Sequence, residues 1–273
     1  MADLPVSLLL LTGIVVFSEL ARRTVLFLFP KRPWTIYPLE FISTFQLCAC
    51  THELKMLGDA HLLERRFDLT LTFLITVVHG FTFHGAICNP TGALELLCRR
   101  VVTQRDTVTR ICCQLIAAGA ARAAMPFVWA LELSERHVLH SRAGFRCTAS
   151  PVNAPLVVAA AVELSCAFTM HCAGANVGRM KEMYRVPVIA ALITTLVYAG
   201  GPLTGAVFNP ALAFSIQFPC PGNTFFQYST VYWMGPILGM FSSLLLFDKL
   251  IPALSGKRSN TLDFNGLQKE KKT

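Results

Sequence analysis

The stretch Gly85-Ala86-Ile87-Cys88-Asn89-Pro90-Thr91 returns 120 residues later as Gly205-Ala206-Val207-Phe208-Asn209-Pro210-Ala211. Asn is a preferred helix N-cap, and Pro fits the first helical position because its missing N–H has no intrahelical partner there. Each Asn-Pro pair therefore opens a helix. The apolar stretches around the two pairs, Ala86–Leu97 and Ala206–Phe218, are short and follow an apolar run with no polar loop between. A helix of about 10 residues covers ~15 Å, half of a hydrocarbon core of roughly 30 Å. Two such half-helices entering from opposite sides meet end to end and together act as one further span.

The runs around them are long enough to cross. Apolar candidates lie at Tyr37–Leu57, Asp68–Phe83, Val108–Leu133, Pro155–Ala175, Val186–Leu203 and Tyr228–Leu250. Upstream of each motif stands a carboxylate: Glu40 is 49 residues before Asn89, and Glu163 is 46 before Asn209. The chain is thus two halves of three helices each, about 37–133 and 153–252. An odd number of crossings per half inverts the second half, the arrangement that places a site at the midplane. Ahead of them, Leu4–Phe29 has an apolar core of 14 residues, Leu4–Phe17, before Glu19, Arg22 and Arg23 interrupt it. Two readings fit residues 1–36, a signal-anchor-like seventh crossing and a helix lying on the membrane surface. No cleavage site follows, so its removal is not expected.

Composition agrees with a membrane protein. Of 273 residues 53% are apolar and only 15% charged, against roughly 25% charged in soluble domains. Disorder, a disulfide scaffold and most soluble enzymes are excluded. Most of the ten cysteines sit in apolar runs without paired CxxC spacing, so no metal and no cofactor are expected. The net charge of +8 comes from basic residues between apolar runs, not from an aromatic-interleaved patch, so nucleic acid is not a partner. With the segment before Tyr37 placed in the cytosol, 17 of the 24 Lys and Arg residues fall on the cytosolic side and six on the other, with Arg122 inside a helix. That bias orients the chain and places the basic tail, 253–273, in the cytosol.

Converging N-termini carry positive partial charge, which opposes cations and interrupts a proton-conducting file of water. The Asn89 and Asn209 amides are placed to donate hydrogen bonds to a small neutral permeant. This is chemistry for a passive channel, not an enzyme.

With these motifs the chain resembles the aquaporin (major intrinsic protein) family, built as an all-α inverted repeat of six transmembrane helices and two re-entrant half-helices. Two departures resemble its unorthodox superaquaporin branch: Asn89-Pro90-Thr91 in place of Asn-Pro-Ala, and Leu212 where orthodox members carry Arg. The runs Glu40–Leu54 and Leu196–Ala211, with Cys220 nine residues beyond Ala211, most resemble the aquaporin-11 type; Thr91 makes the aquaporin-12 type the runner-up. The resemblance implies a homotetramer in membrane lipid, with one pore per chain. It places the narrow constriction on Leu69, Val197, Ala206 and Leu212, all apolar here, and so implies permeation by water, glycerol and hydrogen peroxide. It makes Glu40 and Glu163 supports of the two loops.

Other residues keep alternatives open. Intramembrane carboxylates also suit a proton-coupled secondary transporter, and a scaffold of the endoplasmic reticulum with a vestigial pore is a third reading. His79 and His84 fit either a packed or a pore-facing role. Thr51-His52-Glu53 lacks the second His of a zinc protease, and Arg122 is expected to snorkel or pair with a helix end. Cys147 and Cys220 fall on the non-cytosolic side, where Cys220 reads first as a packed or modifiable thiol and alternatively as Cys147's disulfide partner. No Asn-x-Ser/Thr acceptor occurs. The tail Lys269-Glu270-Lys271-Lys272-Thr273 reads as a solvated basic end or, by the intracellular branch it resembles, as a dilysine signal for coat-protein retrieval to the endoplasmic reticulum.

Overall fold

The apolar runs all become helices, because backbone groups at bilayer depth must be paired within their own segment. The computed structural model describes residues 3–58, 65–143 and 152–254. Among these, every regular element is helical: α1 (Asp3–Leu28), α2 (Ile36–Gly58), α3 (Arg65–Thr82), α4 (Pro90–Cys98), α5 (Gln104–Trp129), α6 (Glu135–Arg142), α7 (Leu156–Val177), α8 (Glu182–Thr204) and α9 (Pro210–Gln217). The last rod joins α10 (Phe225–Ser229), α11 (Gly235–Leu245) and α12 (Ile251–Leu254) through π-helical turns at Thr230–Met234 and Leu246–Leu250. The tail and Cys147 lie outside the described residues.

The repeat is visible as two sets, α2 to α5 and α7 to α12, each with a half-helix, α4 or α9, as its third member. They interlock: α9 packs on α2 and α5, α4 packs on α5 and α11, and α3 lies against α8. One buried cluster, of Cys48, Ala49, Ala118, Ala121 and Ala211, joins them, and a second, of Ala159, Val207, Ala213 and Tyr232, lies within the second set. Small residues let the backbones approach. At Gly239 on α11 a Cβ would overlap the Leu164 carbonyl oxygen of α7.

Five helices among the described residues are long and apolar enough to cross a membrane: α1, α5, α7, α8 and Phe225–Leu250. The expected spans at Tyr37–Leu57 and Asp68–Phe83 form as α2 and α3 but are not in that set. The charges of α2 face protein: Glu40 and Glu53 are fully buried, and Lys55 Nζ donates to the Ile216 carbonyl of α9 at 3.3 Å. Conversely, α1, whose placement the sequence left open, is a helix of 26 residues. It runs antiparallel along α2, with Ser7 bonded to Glu53 and Arg22 to Gln46. The third span starts four residues earlier than its apolar run, because Thr103 and Asp106 close a capping box. The surface helix α6, capped by Ser134, had no apolar signal.

Candidate functional site

The two Asn-Pro motifs share one backbone. Gly85 and Gly205 both take left-handed φ, 84° and 82°, and so do Cys88 and Phe208, at 56° and 36°. Asn89 and Asn209 are extended, at φ −148° and −140°. A left-handed conformation costs a non-glycine residue on the order of 1 kcal/mol and persists only where the surroundings impose it. Here two carboxylates impose it. Glu40 accepts from the Ile87 and Cys88 N–H groups, each at 3.0 Å. Glu163 accepts from Val207 N–H at 3.0 Å, from Phe208 N–H and from the Thr204 hydroxyl. Thr204 Oγ1 in turn accepts from Ala206 N–H, and Tyr232 donates to the Thr204 carbonyl. Irregular backbone at this depth is thereby paired.

Each Asn works twice. Asn89 Oδ1 caps α4 by accepting from Thr91 N–H, and Asn209 Oδ1 caps α9 by accepting from Ala211 and Leu212 N–H. Their amide nitrogens cross over: Asn89 Nδ2 donates to the Phe208 carbonyl at 3.3 Å and Asn209 Nδ2 to the Cys88 carbonyl at 2.8 Å. The half-helices α4 and α9 thus meet N-terminus to N-terminus with Pro90 and Pro210 at their first positions, both buried. One hydrogen of each amide is engaged in this crossing. A primary amide has two, so one remains for another acceptor.

Of the four constriction candidates, Ala206 lies in the second loop, buried and left-handed at φ 47°. Leu212 stands in the first turn of α9 and packs against both clusters. Val197 sits on α8 a turn before Gly200 and Gly201, and Leu69 in the first turn of α3, half-buried. Among the remaining sequence candidates, His84 lies in the first loop itself, left-handed at φ 49°. His79 is buried and stacked on Phe83 at 4.9 Å, while His84 pairs with Glu19 of α1 at 3.1 Å. Arg122 Nη1 reaches the Phe214 carbonyl in α9's last turn at 3.5 Å, so with Lys55 it meets the negative end of that half-helix. Glu53 bonds Trp129 and His137. Cys220 is disulfide-bonded, which corrects the reading of a packed or modifiable thiol; a reactive thiol requires a free sulfur.

Several residues at the site carried no signal in the sequence. Arg110 and Gln114, one turn apart on α5, both donate to Glu40, at 3.1 and 3.0 Å. Glu95 and His171 stand beside Thr91, with His171 Nε2 3.0 Å from Thr91 Oγ1. Polar residues recurring every four positions in α5's otherwise apolar face are the one available hint for the first pair.

The model of the family described as major intrinsic protein matches residues 40–247. Aquaporin-11 of Equus caballus is 38% identical over 255 residues, covering 93% of each chain. Aquaporin-11 of Homo sapiens is 37% identical over 92% of each chain. Aquaporin-12 of Mus musculus is 36% identical over 93% of this chain and 89% of its own.

Proposed function

Because the chain belongs to the major intrinsic protein family, whose members are channels for water or small solutes, we propose that it conducts water, glycerol and hydrogen peroxide passively past Asn89 and Asn209. The observation that carries this reading is the reciprocal pair of bonds from each Asn amide to the opposite loop's carbonyl. They hold two positive helix ends face to face and leave one amide hydrogen on each side for a permeant oxygen. Cations meet the positive ends, and a water oxygen oriented by both amides cannot pass a proton along a file.

Leu69, Val197, Ala206 and Leu212 form the constriction in this reading. With four apolar side chains and no guanidinium, the passage is wider and presents fewer donors than a water-only pore, which suits a triol as well as water. Glu40 and Glu163 act as loop supports. Their oxygens already accept from backbone N–H groups and from Arg110, Gln114 or Thr204, which supports this role over proton coupling. The protein works as a homotetramer, its tail in the cytosol, in the endoplasmic reticulum or another intracellular membrane, kept there by coat-protein retrieval through the terminal lysines.

Stopped-flow measurement on purified protein in lipid vesicles tests the reading. Wild type should accelerate shrinkage and swelling with water and glycerol and admit peroxide, and Asn89→Asp and Asn209→Asp should each reduce all three. Unchanged fluxes in both variants would remove the Asn pair from the pore. Uphill uptake driven by a pH gradient would establish coupling instead.

A further inference from the structure

The two motifs differ at one atom. Asn209 Oδ1 accepts from two backbone N–H groups, whereas Asn89 Oδ1 accepts from one, Thr91 N–H, and faces the Thr91 hydroxyl at 2.9 Å. The hydroxyl takes the place of the second N–H. Behind it stands His171 of α7, with Nε2 3.0 Å from Thr91 Oγ1 and Nδ1 2.5 Å from Glu95 Oε2. Arg99 closes the row on Glu95 Oε1 and on Asp248, each at 2.9 Å.

Building on the channel reading, we infer that His171 and Glu95 share a proton that aims the Thr91 hydroxyl at Asn89, and so act as positioning residues for the first pore amide. The hydrogens available in the row decide its state. Beside an ionised Glu95, His171 Nδ1 carries a hydrogen, and in a neutral ring Nε2 is then an acceptor. Thr91 has one hydroxyl hydrogen and would stand between two acceptors, His171 Nε2 and Asn89 Oδ1. If the hydrogen turns to Asn89, Nε2 is left without a donor; if it turns to Nε2, the Thr91 and Asn89 oxygens face each other at 2.9 Å with no hydrogen between them. With one more proton on the pair, Nε2–H donates to Thr91 and the Thr91 hydrogen goes to Asn89, so every group is satisfied.

The titratable and charged groups facing His171 are Glu95 on α4, Arg99 at that helix's end and, through Arg99, Asp248 in the last rod. The row His171, Glu95, Arg99, Asp248 alternates in sign and sums to zero only with the proton present. Side-chain exposure is 9% at His171, 17% at Glu95 and 11% at Arg99 but 41% at Asp248. Without the proton the three shielded groups sum to zero and the negative charge resides on the exposed Asp248, so the charge sum favours neither state and the hydrogen-bond count decides. The second motif has Ala211 at the corresponding place and no such row, so only the first loop is controlled.

Flux through full-length protein in vesicles, measured with equal pH on both sides from about 5.5 to 8.5, across the range where histidine titrates, tests the inference. Water and glycerol flux should fall as pH rises, roughly two- to tenfold, the scale of one net hydrogen bond. Thr91→Ser should keep that ratio, and Thr91→Ala and His171→Gln should flatten it. A pH-independent wild type, or a ratio unchanged in Thr91→Ala, overturns the positioning role and leaves the channel intact. The ring itself is read by nitrogen-15 NMR of labelled histidine, with the His171 signal identified by its displacement in Thr91→Ala. Two protonated ring nitrogens at neutral pH support the pair and one overturns it, even in vesicles that show no flux at any pH, the result that would overturn the channel reading.

Discussion

Glu163 is where a single side chain does most for the second loop. Its carboxylate is the acceptor for Val207 N–H, Phe208 N–H and the Thr204 hydroxyl, all with side chains or backbone held away from water. Glu163→Ala leaves three donors without an acceptor, at about 1–3 kcal/mol for each group that finds no other partner. The expected result is a lower unfolding temperature in detergent, with Glu163→Gln, which keeps one acceptor oxygen, falling between. Equal stability of all three proteins would show that the loop is held by other contacts. If Leu212 lines the constriction as proposed, Leu212→Arg introduces a guanidinium with fixed donors and narrows the passage, so glycerol flux should fall more than water flux. Equal loss of both would place Leu212 away from the narrowest point. Thr91, Leu212 and the two Asn-Pro pairs were legible as residues because their meaning is local: a cap, a first-turn proline, a hydroxyl or an apolar side chain at a known offset. His171 was not, since its chemistry depends on Glu95 and Thr91, 76 and 80 residues away in the chain.

Between elements, the decisive feature is close approach. Gly239 on α11 faces the Leu164 carbonyl oxygen and Phe168 N of α7, so backbone meets backbone and no side chain can yield. Gly239→Leu should separate the two helices at a cost of at least the 1–3 kcal/mol typical of overpacking. Gly174→Ala on α7 is the control, since a Cβ there has nothing within 4 Å. Thermal unfolding by intrinsic fluorescence should register the first and not the second; similar shifts in both would show that α7 and α11 tolerate separation. Hydropathy placed α5, α7, α8 and the last rod directly, because a face toward lipid must be apolar. It described α2 and α3 less well as spans, because α2 pairs its charges with protein and needs no uniformly apolar surface, while α3 opens on Arg65, Arg66 and Asp68.

On the scale of the whole molecule, α1 is the part added outside the repeat. Its one face exposes Leu9, Phe17 and Phe27, and the other buries Ser7, Ser18 and a fully buried Arg22. Arg22 binds Glu19 at 3.2 Å, Ser43 at 3.4 Å and Gln46 at 2.7 Å. Arg22→Leu removes one donor from Glu19, which keeps Arg23 and His84, and leaves Gln46 Oε1 without its donor, a loss of about 1–3 kcal/mol for the unsatisfied buried acceptor. Hydrogen exchange should then quicken in α1 while α7 and α8 stay protected. Unaltered protection of α1 would mean that the apolar contacts of its Leu11 with Cys50 and Leu54 suffice alone.

The sequence by itself determined the all-helical class, the inverted repeat, the half-helices and the bias of basic residues, because periodicity, capping and charge asymmetry are written along the chain within a few residues of where they act. Tertiary structure alone decided the rest: that α1 lies along α2, that Lys55 and Arg122 meet the end of α9, that each Asn reaches into the opposite loop, and that His171 stands behind Thr91. Those pairings join groups as far as 161 positions apart in the chain. A lone polar residue in an apolar run shows that a partner must exist, since burial without one is costly, but only the packed helices show which partner it is.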